Sequence, residues 1–243
     1  MHNAPPIKVS EIFGPTIQGE GSLIGQPTVF VRTGGCDFRC HWCDSLHAVE
    51  SSQRHHWEPM SVEEIWQKIE KLSGYKPILI SLSGGNPAIQ PLERLIDYGK
   101  TKKYSFAMET QGSLFKPWFG LLDTLIVSPK PPSSKMENNW EKVAMCLKTQ
   151  GPSVILKIPV ADEEDYFFAR QTAQRFPFIP CYLQPVNLTP PPLQQGCVPA
   201  PVDMPVLLER FRWLIERTLQ DQWYEVHLLP QLHVLIWGNQ QGV

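Results

Sequence analysis

Short apolar segments rich in β-branched residues alternate with helical patterns along this chain of 243 residues. Six of these segments predict strands: residues 28–33, 77–83, 104–110, 124–128, 153–160 and 179–186. Helical patterns occupy several of the intervals and the region after them, at residues 61–72, 89–102, 162–176 and 204–219. The first of these helices begins with a capping box formed by Ser61 and Glu64. Alternation of this kind predicts a mostly parallel sheet with crossover helices.

The interval 111–123 is too short for a good helix, so the predicted barrel has fewer helices than strands. We therefore predict an α/β fold, an incomplete TIM-like β/α barrel, with residues 1–243 forming a single domain. The proline-rich segment 186–205 has no periodicity, and we interpret it as a long surface loop before the last helix. A chain of this length can bury a full hydrophobic core.

Composition and charge argue against several classes of function. The formal net charge is −2, so nothing indicates nucleic acid or an anionic membrane as a bulk partner. No apolar run approaches the roughly 20 residues that a membrane-spanning helix needs. Residues 1–13 lack the basic and apolar regions of a signal peptide. A cytoplasmic location is therefore predicted, where clustered cysteines are more often metal ligands or redox groups than disulfides.

Three cysteines, Cys36, Cys40 and Cys43, follow the first predicted strand at C-x-x-x-C-x-x-C spacing. A zinc site of three cysteines and one histidine is one alternative. Four nearby histidines could complete it: His41, His47, His55 and His56. The other alternative is a 4Fe–4S cluster with three protein ligands, which leaves one iron open to an exogenous ligand. The second is favoured because the thiols share one continuous loop and polar strand ends follow it, as at the mouth of a barrel.

Polar groups follow the strands that come after the cysteine loop. The segment SLSGGNP (81–87) ends a strand with paired glycines, which allow backbone to approach a ligand closely. Glu109 and Lys130 stand at the ends of later strands, in METQGS (108–113) and SPKPP (128–132). Alone, the glycines would form a turn and the two charges would be solvated surface groups. At the carboxyl ends of parallel strands they are candidates for a ligand pocket beside the cysteines.

The cysteine spacing, with Trp42 directly before the last cysteine, resembles that of the radical S-adenosylmethionine superfamily. The resemblance implies a 4Fe–4S cluster on the three cysteines, whose open iron binds the amino and carboxylate groups of S-adenosylmethionine. One electron from the reduced cluster then cleaves the sulfonium to give a 5′-deoxyadenosyl radical. Asn86 stands where the superfamily usually has glutamate, so the contact implied there is the backbone of Gly85. The implied S-adenosylmethionine contacts are Trp42, Asp44, Gly85, Glu109, Ser128, Pro129, Lys130 and Gln184.

Further motifs narrow the resemblance, and they run through almost the whole chain: residues 11–21, 30–36, 43–45, 128–134 and 229–239. Together they resemble the 7-carboxy-7-deazaguanine synthase family, carbon–nitrogen lyases of queuosine and 7-deazapurine biosynthesis. The family activity implied is conversion of 6-carboxy-5,6,7,8-tetrahydropterin to 7-carboxy-7-deazaguanine, by radical ring contraction with loss of ammonia. An electron donor such as flavodoxin or ferredoxin and a homodimer are implied as partners.

The same resemblance implies which residues bind the substrate and a magnesium ion. The implied pterin contacts are Ile17, Gln18, Gly19, Arg32, Ser83 and His233. A guanidinium at Arg32 suits a carboxylate because it can bind bidentately. Ser45 is implied as the Mg²⁺ ligand, since Mg²⁺ keeps waters and takes few protein ligands. Without the resemblance, Ser45 would be a helix cap or turn residue and His233 a strand residue. No catalytic residue is assigned beyond these contacts.

Two other functions stay open on the sequence. One is a radical S-adenosylmethionine activase that acts on a partner protein, which leaves TIQGEG (16–21), Arg32 and residues 230–239 unexplained. An activase consumes S-adenosylmethionine stoichiometrically, whereas the synthase regenerates it. The other is a zinc-stabilised binding module without catalysis, which after anaerobic purification would be colourless and contain zinc but no iron or sulfide.

Overall fold

The computed structural model describes residues 5–189 and 200–243 of the chain. The strands are β1 Ile7–Ile17, β2 Pro27–Thr33, β3 Glu58–Met60, β4 Leu79–Gly84, β5 Ser105–Thr110, β6 Thr124–Val127, β7 Ser153–Val160, β8 Cys181–Pro185 and β9 Val226–Leu228. The α-helices are α1 Leu46–Val49, α2 Val62–Leu72, α3 Glu93–Thr101, α4 Trp140–Leu147, α5 Glu163–Arg175, α6 Met204–Gln220 and α7 Leu232–Trp237. Across the described residues every helix is too short or too polar to span a bilayer.

All of these strands belong to one sheet, in the order β3-β1-β2-β4-β5-β6-β7-β8-β9. From β2 to β9 each neighbouring pair is parallel, whereas β1 runs antiparallel to β2 and to β3. The edges are β3 and β9, so the sheet formed by the described residues does not close on itself. The predicted incomplete β/α barrel with fewer helices than strands is confirmed, and an antiparallel pair of strands extends it at one edge.

The six strands predicted from the sequence are β2 and β4 to β8, and all six are present. The sequence does not predict β1, although it has 11 residues. Its pairing with β2 shifts register between Val9 and Glu11 and again between Phe13 and Thr16, and such irregularities break the alternation of apolar and polar residues. Strands β3 and β9 have three residues each, too few for a periodic signal.

Helix α2 forms as its sequence predicts. Ser61 Oγ accepts a hydrogen bond from the Glu64 N–H at 3.2 Å, and the Glu64 carboxylate accepts one from the Ser61 N–H at 2.7 Å. The capping box is therefore confirmed. Ile65, Trp66 and Ile69 face the core and are almost completely buried. Each buried isoleucine contributes about 1.5–3 kcal/mol to folding, which holds the helix on the sheet.

Two predictions about the connections have different outcomes. The interval 111–123 contains only the short 3₁₀ turn Pro117–Leu121, as expected from its length. The prediction that residues 204–219 form the last helix is wrong, because α7 follows. Five of its six residues are apolar, and two β-branched residues and one tryptophan among them favour a strand interpretation. Of the segment 186–205, predicted to be a loop, residues 190–199 lie outside the described residues.

Candidate active site

One pocket lies at the carboxyl ends of the parallel strands, and it collects most of the residues predicted from the sequence. It is lined by Ile17, Gln18, Gly19, Arg32, Cys36, Cys40, Trp42, Cys43, Asp44, Ser45, Ser83, Gly85, Glu109, Lys130, Gln184 and His233. Ser128 and Pro129 are not on its wall. Ser128 is buried and accepts a hydrogen bond from Lys130 Nζ at 2.9 Å, so it contacts a lining residue instead. Residues from Ile17 to His233 therefore meet at one end of the sheet, where β/α folds bind ligands.

The cysteine loop after β2 is anchored to three neighbouring segments. The Gly35 N–H donates to the Ala48 carbonyl at 2.7 Å, and the Gly35 carbonyl accepts from the Asn86 N–H at 2.8 Å. Further along, Trp42 Nε1 donates to Ser133 Oγ at 2.8 Å. These contacts fix the loop between helix α1, the end of β4 and the segment after β6. The three thiols are thus held in place before any ligand binds.

Cys36, Cys40 and Cys43 are free thiols on the pocket wall. Burial raises the pKa of Cys36 and of Cys40, and burial together with the Asp44 carboxylate raises the pKa of Cys43 to about 12. The thiols are therefore neutral unless a cation binds and stabilises their thiolates. Three thiols on one wall fit a cluster with three protein ligands.

Among the described residues, none of the four candidate histidines completes a zinc site with the three thiols. His41 is exposed and does not line the pocket, and His47 Nε2 lies 3.2 Å from the Glu11 carboxylate. His55 and His56 are exposed on a 3₁₀ turn. Among the residues that the structure describes, no group of three or more His, Cys, Asp or Glu side chains is arranged to hold a single metal ion.

The glycine pair at the end of β4 lies directly against the cysteine loop. Gly84 has φ of +133°, in a region that side chains rarely adopt. A Cβ atom on Gly84 would collide with the backbone of Thr33, and one on Gly85 would collide with the Gly35 carbonyl. Glycine is therefore required at both positions for the close approach of the two backbones. This approach brings the Gly85 backbone into the pocket, as its predicted role requires.

Asn86, which replaces the usual glutamate, is completely buried and does not line the pocket. Its Nδ2 donates to Asp37 Oδ1 at 2.9 Å and to Ser113 Oγ at 3.1 Å. Its Oδ1 accepts from Thr110 Oγ1 at 3.0 Å and from the Ala88 N–H at 3.2 Å. Both ends of the amide are used inside the protein. An amide suits this position better than a carboxylate, because a second carboxylate could not donate to Asp37.

Arg32 projects from β2 into the pocket and is oriented by a half-buried acid. Its Nε donates to Glu11 Oε1 at 2.5 Å, and an Nη donates to Ser83 Oγ at 3.2 Å. The same Glu11 oxygen contacts His47 Nε2 at 3.2 Å. These bonds use two of the five N–H groups of the guanidinium, so the others can serve a ligand.

The Glu11 carboxylate is ionised at neutral pH. Burial alone would raise its pKa, but the hydrogen bond with His47 and the charge of Arg32 outweigh burial and lower the pKa from 4.5 to about 2. Its contribution to folding stability is therefore complete above about pH 4.5 and is lost as the pH falls through about 2. The orientation of Arg32 is maintained throughout the physiological range.

The segment predicted to bind substrate lies at the end of β1, opposite the cysteine loop in the pocket lining. Gln18 Nε2 donates to Ser81 Oγ at 3.2 Å, while its Oε1 accepts from the Glu20 N–H at 3.2 Å. The Gly19 carbonyl accepts from the Leu232 N–H at 2.9 Å, and Gly19 packs against the ring of His233. His233 lies on helix α7, so its interpretation as a strand residue is wrong.

Several residues of the pocket wall are not among the predicted site residues: Glu11, Glu20, Lys157, Gln231 and residues 238–243. His47, a candidate only for the zinc site, also lines the pocket. Lys157 can be recognised from the sequence as a candidate site residue, because it is the one cation within the mostly apolar strand SVILKIPV. Two buried amide oxygens on the wall, Gln184 Oε1 and Gln231 Oε1, have no hydrogen-bond partner among the described residues. Buried acceptors of this kind are usually satisfied, so they are suited to N–H or O–H groups of bound ligands.

Comparisons with known proteins agree with this geometry. Residues 30–127 match the Radical SAM superfamily. The 7-carboxy-7-deazaguanine synthase of Bacillus subtilis is 40% identical over 247 residues, covering 99% of this chain and 100% of the relative. That of Bacillus cereus is 37% identical over 240 residues, covering 98% and 99%. The crystal structure of QueE from Escherichia coli, 22% identical, has a TM-score of 0.65 over 93% of this chain and 94% of that chain, which shows a shared fold.

The two Bacillus relatives exceed 30% identity and are matched along almost their whole length. The motifs, the parallel sheet and the three-cysteine pocket are all consistent with this match. The chain belongs to the 7-carboxy-7-deazaguanine synthase family.

Proposed function

We propose that this chain converts 6-carboxy-5,6,7,8-tetrahydropterin to 7-carboxy-7-deazaguanine as a radical S-adenosylmethionine enzyme. The observation that carries the proposal is the match to synthases at 37–40% identity over nearly the full chain. The geometry supports it, because three thiols, an oriented arginine and the predicted pterin segment all line one pocket. The activase and zinc-module alternatives find no support in these relatives.

Cys36, Cys40 and Cys43 would hold a 4Fe–4S cluster, which together with S-adenosylmethionine supplies the 5′-deoxyadenosyl radical. The chain's own groups would position S-adenosylmethionine beside it. Gly85 would contact it through backbone atoms, and Gln184 through its buried Oε1, which has no partner among the described residues. Lys130 and Glu109 would contact it through their charged side chains. The remaining predicted contacts, Trp42 and Asp44, lie on the cysteine loop itself.

The substrate side of the pocket is suited to a flat, carboxylated heterocycle. Arg32 would bind the pterin carboxylate, since a guanidinium can bind a carboxylate through two parallel hydrogen bonds. Beside it the rings of Phe13 and Phe30 are stacked, with centroids 4.9 Å apart, and both line the pocket. Their apolar faces would exclude water from the ring and fix its plane. Gln18 and Gly19 would contact its polar edge, with Ser83 and His233 completing the wall.

The proposal is tested by anaerobic incubation of the cluster-loaded protein with 6-carboxytetrahydropterin, S-adenosylmethionine and a reductant. Mass analysis is expected to detect 7-carboxy-7-deazaguanine, with S-adenosylmethionine consumed far below one equivalent per product. Stoichiometric consumption of S-adenosylmethionine without a deazaguanine would contradict the proposal and favour an activase.

We also propose that Ser45 is a ligand of Mg²⁺. Its hydroxyl is nearly buried on the pocket wall, 3.5 Å from the Gly84 carbonyl and 3.7 Å from Cys43 Sγ. One hydroxyl is compatible with Mg²⁺, which is usually held by few protein groups together with substrate oxygens and water. The ion would hold the substrate oxygens and stabilise charge on them.

Replacing Ser45 with alanine is expected to raise the Mg²⁺ concentration needed for half-maximal rate, because one ligand is lost. The measurement is a magnesium titration of the initial rate at saturating substrate. Ser73→Ala is a matched control, since its hydroxyl contacts the Tyr104 hydroxyl and the Glu70 carbonyl and does not line the pocket. An unchanged titration for Ser45→Ala would rule out the proposed role.

The partners and location stay predictions. A homodimer, an electron donor such as flavodoxin or ferredoxin, and a cytoplasmic location are all implied by family resemblance. Size-exclusion chromatography with light scattering tests the first of them, and the mass of two chains is the expected result.

A further inference from the structure

Lys157 is a buried cation that contacts two acids on the pocket wall. It lies in the middle of strand β7 and is only 4% exposed. Its ammonium donates to Glu109 Oε2 at 2.7 Å and forms a very short ion pair with Glu20 Oε2. Burying an ammonium is costly unless it is paired and hydrogen-bonded. The two acids therefore compensate for the burial of the Lys157 ammonium.

Lys157 and Glu20 are both ionised. Burial lowers the pKa of Lys157, but the Glu109 and Glu20 charges outweigh it and leave the pKa above its usual value. Burial likewise opposes ionisation of Glu20, yet the charge of Lys157 holds the Glu20 pKa well below its usual range. The Lys157 ammonium thus contacts the side chains of both Glu20 and Glu109. Movement of either side chain affects the ammonium and, through it, the other side chain.

The two acids belong to different parts of the proposed active site. Glu109 is the penultimate residue of strand β5 and is a proposed S-adenosylmethionine contact. Glu20 directly follows the proposed substrate segment 17–19. The other oxygen of Glu20 accepts from Gln231 Nε2 at 2.8 Å, just before helix α7 and the proposed substrate contact His233. Lys157 consequently connects the proposed S-adenosylmethionine contact Glu109 to Glu20, which is adjacent to the proposed substrate segment.

We propose that Lys157 is a positioning residue that couples the binding of S-adenosylmethionine to the binding of the pterin. When one ligand fixes one carboxylate, the shared ammonium is held in place, and the other carboxylate loses less freedom when its own ligand binds. Because binding coupling is reciprocal, each ligand then tightens the other by the same factor. This inference rests on the proposed function, since it takes Glu109 and residues 17–19 as ligand contacts.

A purely structural role for Lys157 makes a different prediction. If it only neutralises two buried acids, its removal weakens folding and both ligands, but leaves their mutual effect unchanged. The ratio of the S-adenosylmethionine Kd without pterin to that with pterin therefore separates the two roles. This ratio can be measured without turnover when the reductant is omitted.

The experiment is isothermal titration of S-adenosylmethionine into the anaerobic, cluster-loaded protein, with and without saturating 6-carboxytetrahydropterin. For the unaltered protein we expect the Kd to fall by about tenfold when pterin is present, within the usual range of such coupling. In Lys157→Met combined with Glu20→Gln the ratio is expected to fall close to one. This double variant removes the ammonium that connects the two acids but keeps the summed formal charge of the three positions at −1. Glu20 therefore does not remain as a second acid without its cation.

Lys102→Met is the matched control, because Lys102 pairs with Glu70 at 2.5 Å and neither lines the pocket. It should leave the ratio unchanged. A ratio of one in the unaltered protein, or an unchanged ratio in the double variant, would overturn the coupling. Absence of any pterin binding to the unaltered protein would instead contradict the proposed function, so the two failures are distinguishable.

Discussion

Arg32→Ala is expected to weaken binding of 6-carboxytetrahydropterin by about a hundredfold, with little change in the affinity for S-adenosylmethionine. The expected loss corresponds to about 3 kcal/mol, the size of a charge-assisted bidentate contact. The structure favours a selective effect, because Arg32 is bound to Glu11 and Ser83 and not to the cysteine loop. Anaerobic titration of each ligand in turn measures both affinities.

A second variant extends this test, since we expect Glu11 to act on the substrate through Arg32, which it orients. Glu11→Gln keeps an acceptor for the guanidinium but removes the charge, and we expect about a tenfold loss of pterin affinity. In the Arg32→Ala background the same change should have no further effect on pterin binding, because the residue that it orients is gone. Arg32→Lys should recover only part of the affinity, since an ammonium does not have the planar fork of a guanidinium.

Two results would contradict this account. Equal losses of pterin and S-adenosylmethionine affinity in Arg32→Ala would mean that the residue is structural. Full additivity of Glu11→Gln and Arg32→Ala would mean that Glu11 contacts the substrate independently. Thermal unfolding of each variant separates these outcomes from loss of the fold.

The sequence predicts the parts of this protein whose signals are local. The six core strands are short, apolar and β-branched, and α2 has both a capping box and an amphipathic face. The cysteine loop and the glycine pair are also predicted, because each is identified by a motif that spans only a few residues. The resemblance places most of the proposed site residues, and the fold explains why they converge, since parallel strands end at one side of a sheet.

The parts that the sequence does not predict depend on long-range pairing. Strand β1 bulges twice against β2, so its pattern has no constant period. The acid Glu20 meets Lys157 from 137 positions away, and no local pattern around either residue indicates the other. Likewise, Asn86 is identified as a departure from a motif, but its four hydrogen bonds come from three separate segments. Tertiary contacts decide these positions.

Asn86→Asp is expected to cost most of the bound iron and about 2–3 kcal/mol of folding free energy, the range for a buried polar group left without its partner. The substituted carboxylate would face Asp37 Oδ1 where the amide now donates at 2.9 Å, and it would be completely buried. Since Asp37 follows Cys36 directly, repulsion would displace the first cluster ligand. Iron and sulfide content after anaerobic reconstitution, together with thermal unfolding, measures the effect.

Exchange of the two side chains tests whether this contact is the cause. In Asp37→Asn combined with Asn86→Asp, the amide at 37 donates to the carboxylate at 86, while Thr110 and the Ala88 N–H can still donate to it. Gln111 Nε2 now donates to the same Asp37 Oδ1 at 2.7 Å, so in the double variant its amide would have to turn for Oε1 to accept from the new amide at 37. We therefore expect iron content to recover in the double variant. Asn139→Asp is the control, because this exposed residue caps α4 and aspartate caps equally well. Failure of the exchange to restore any iron would show that Asn86 holds the cluster loop by its shape or backbone, and not by its hydrogen bond to Asp37.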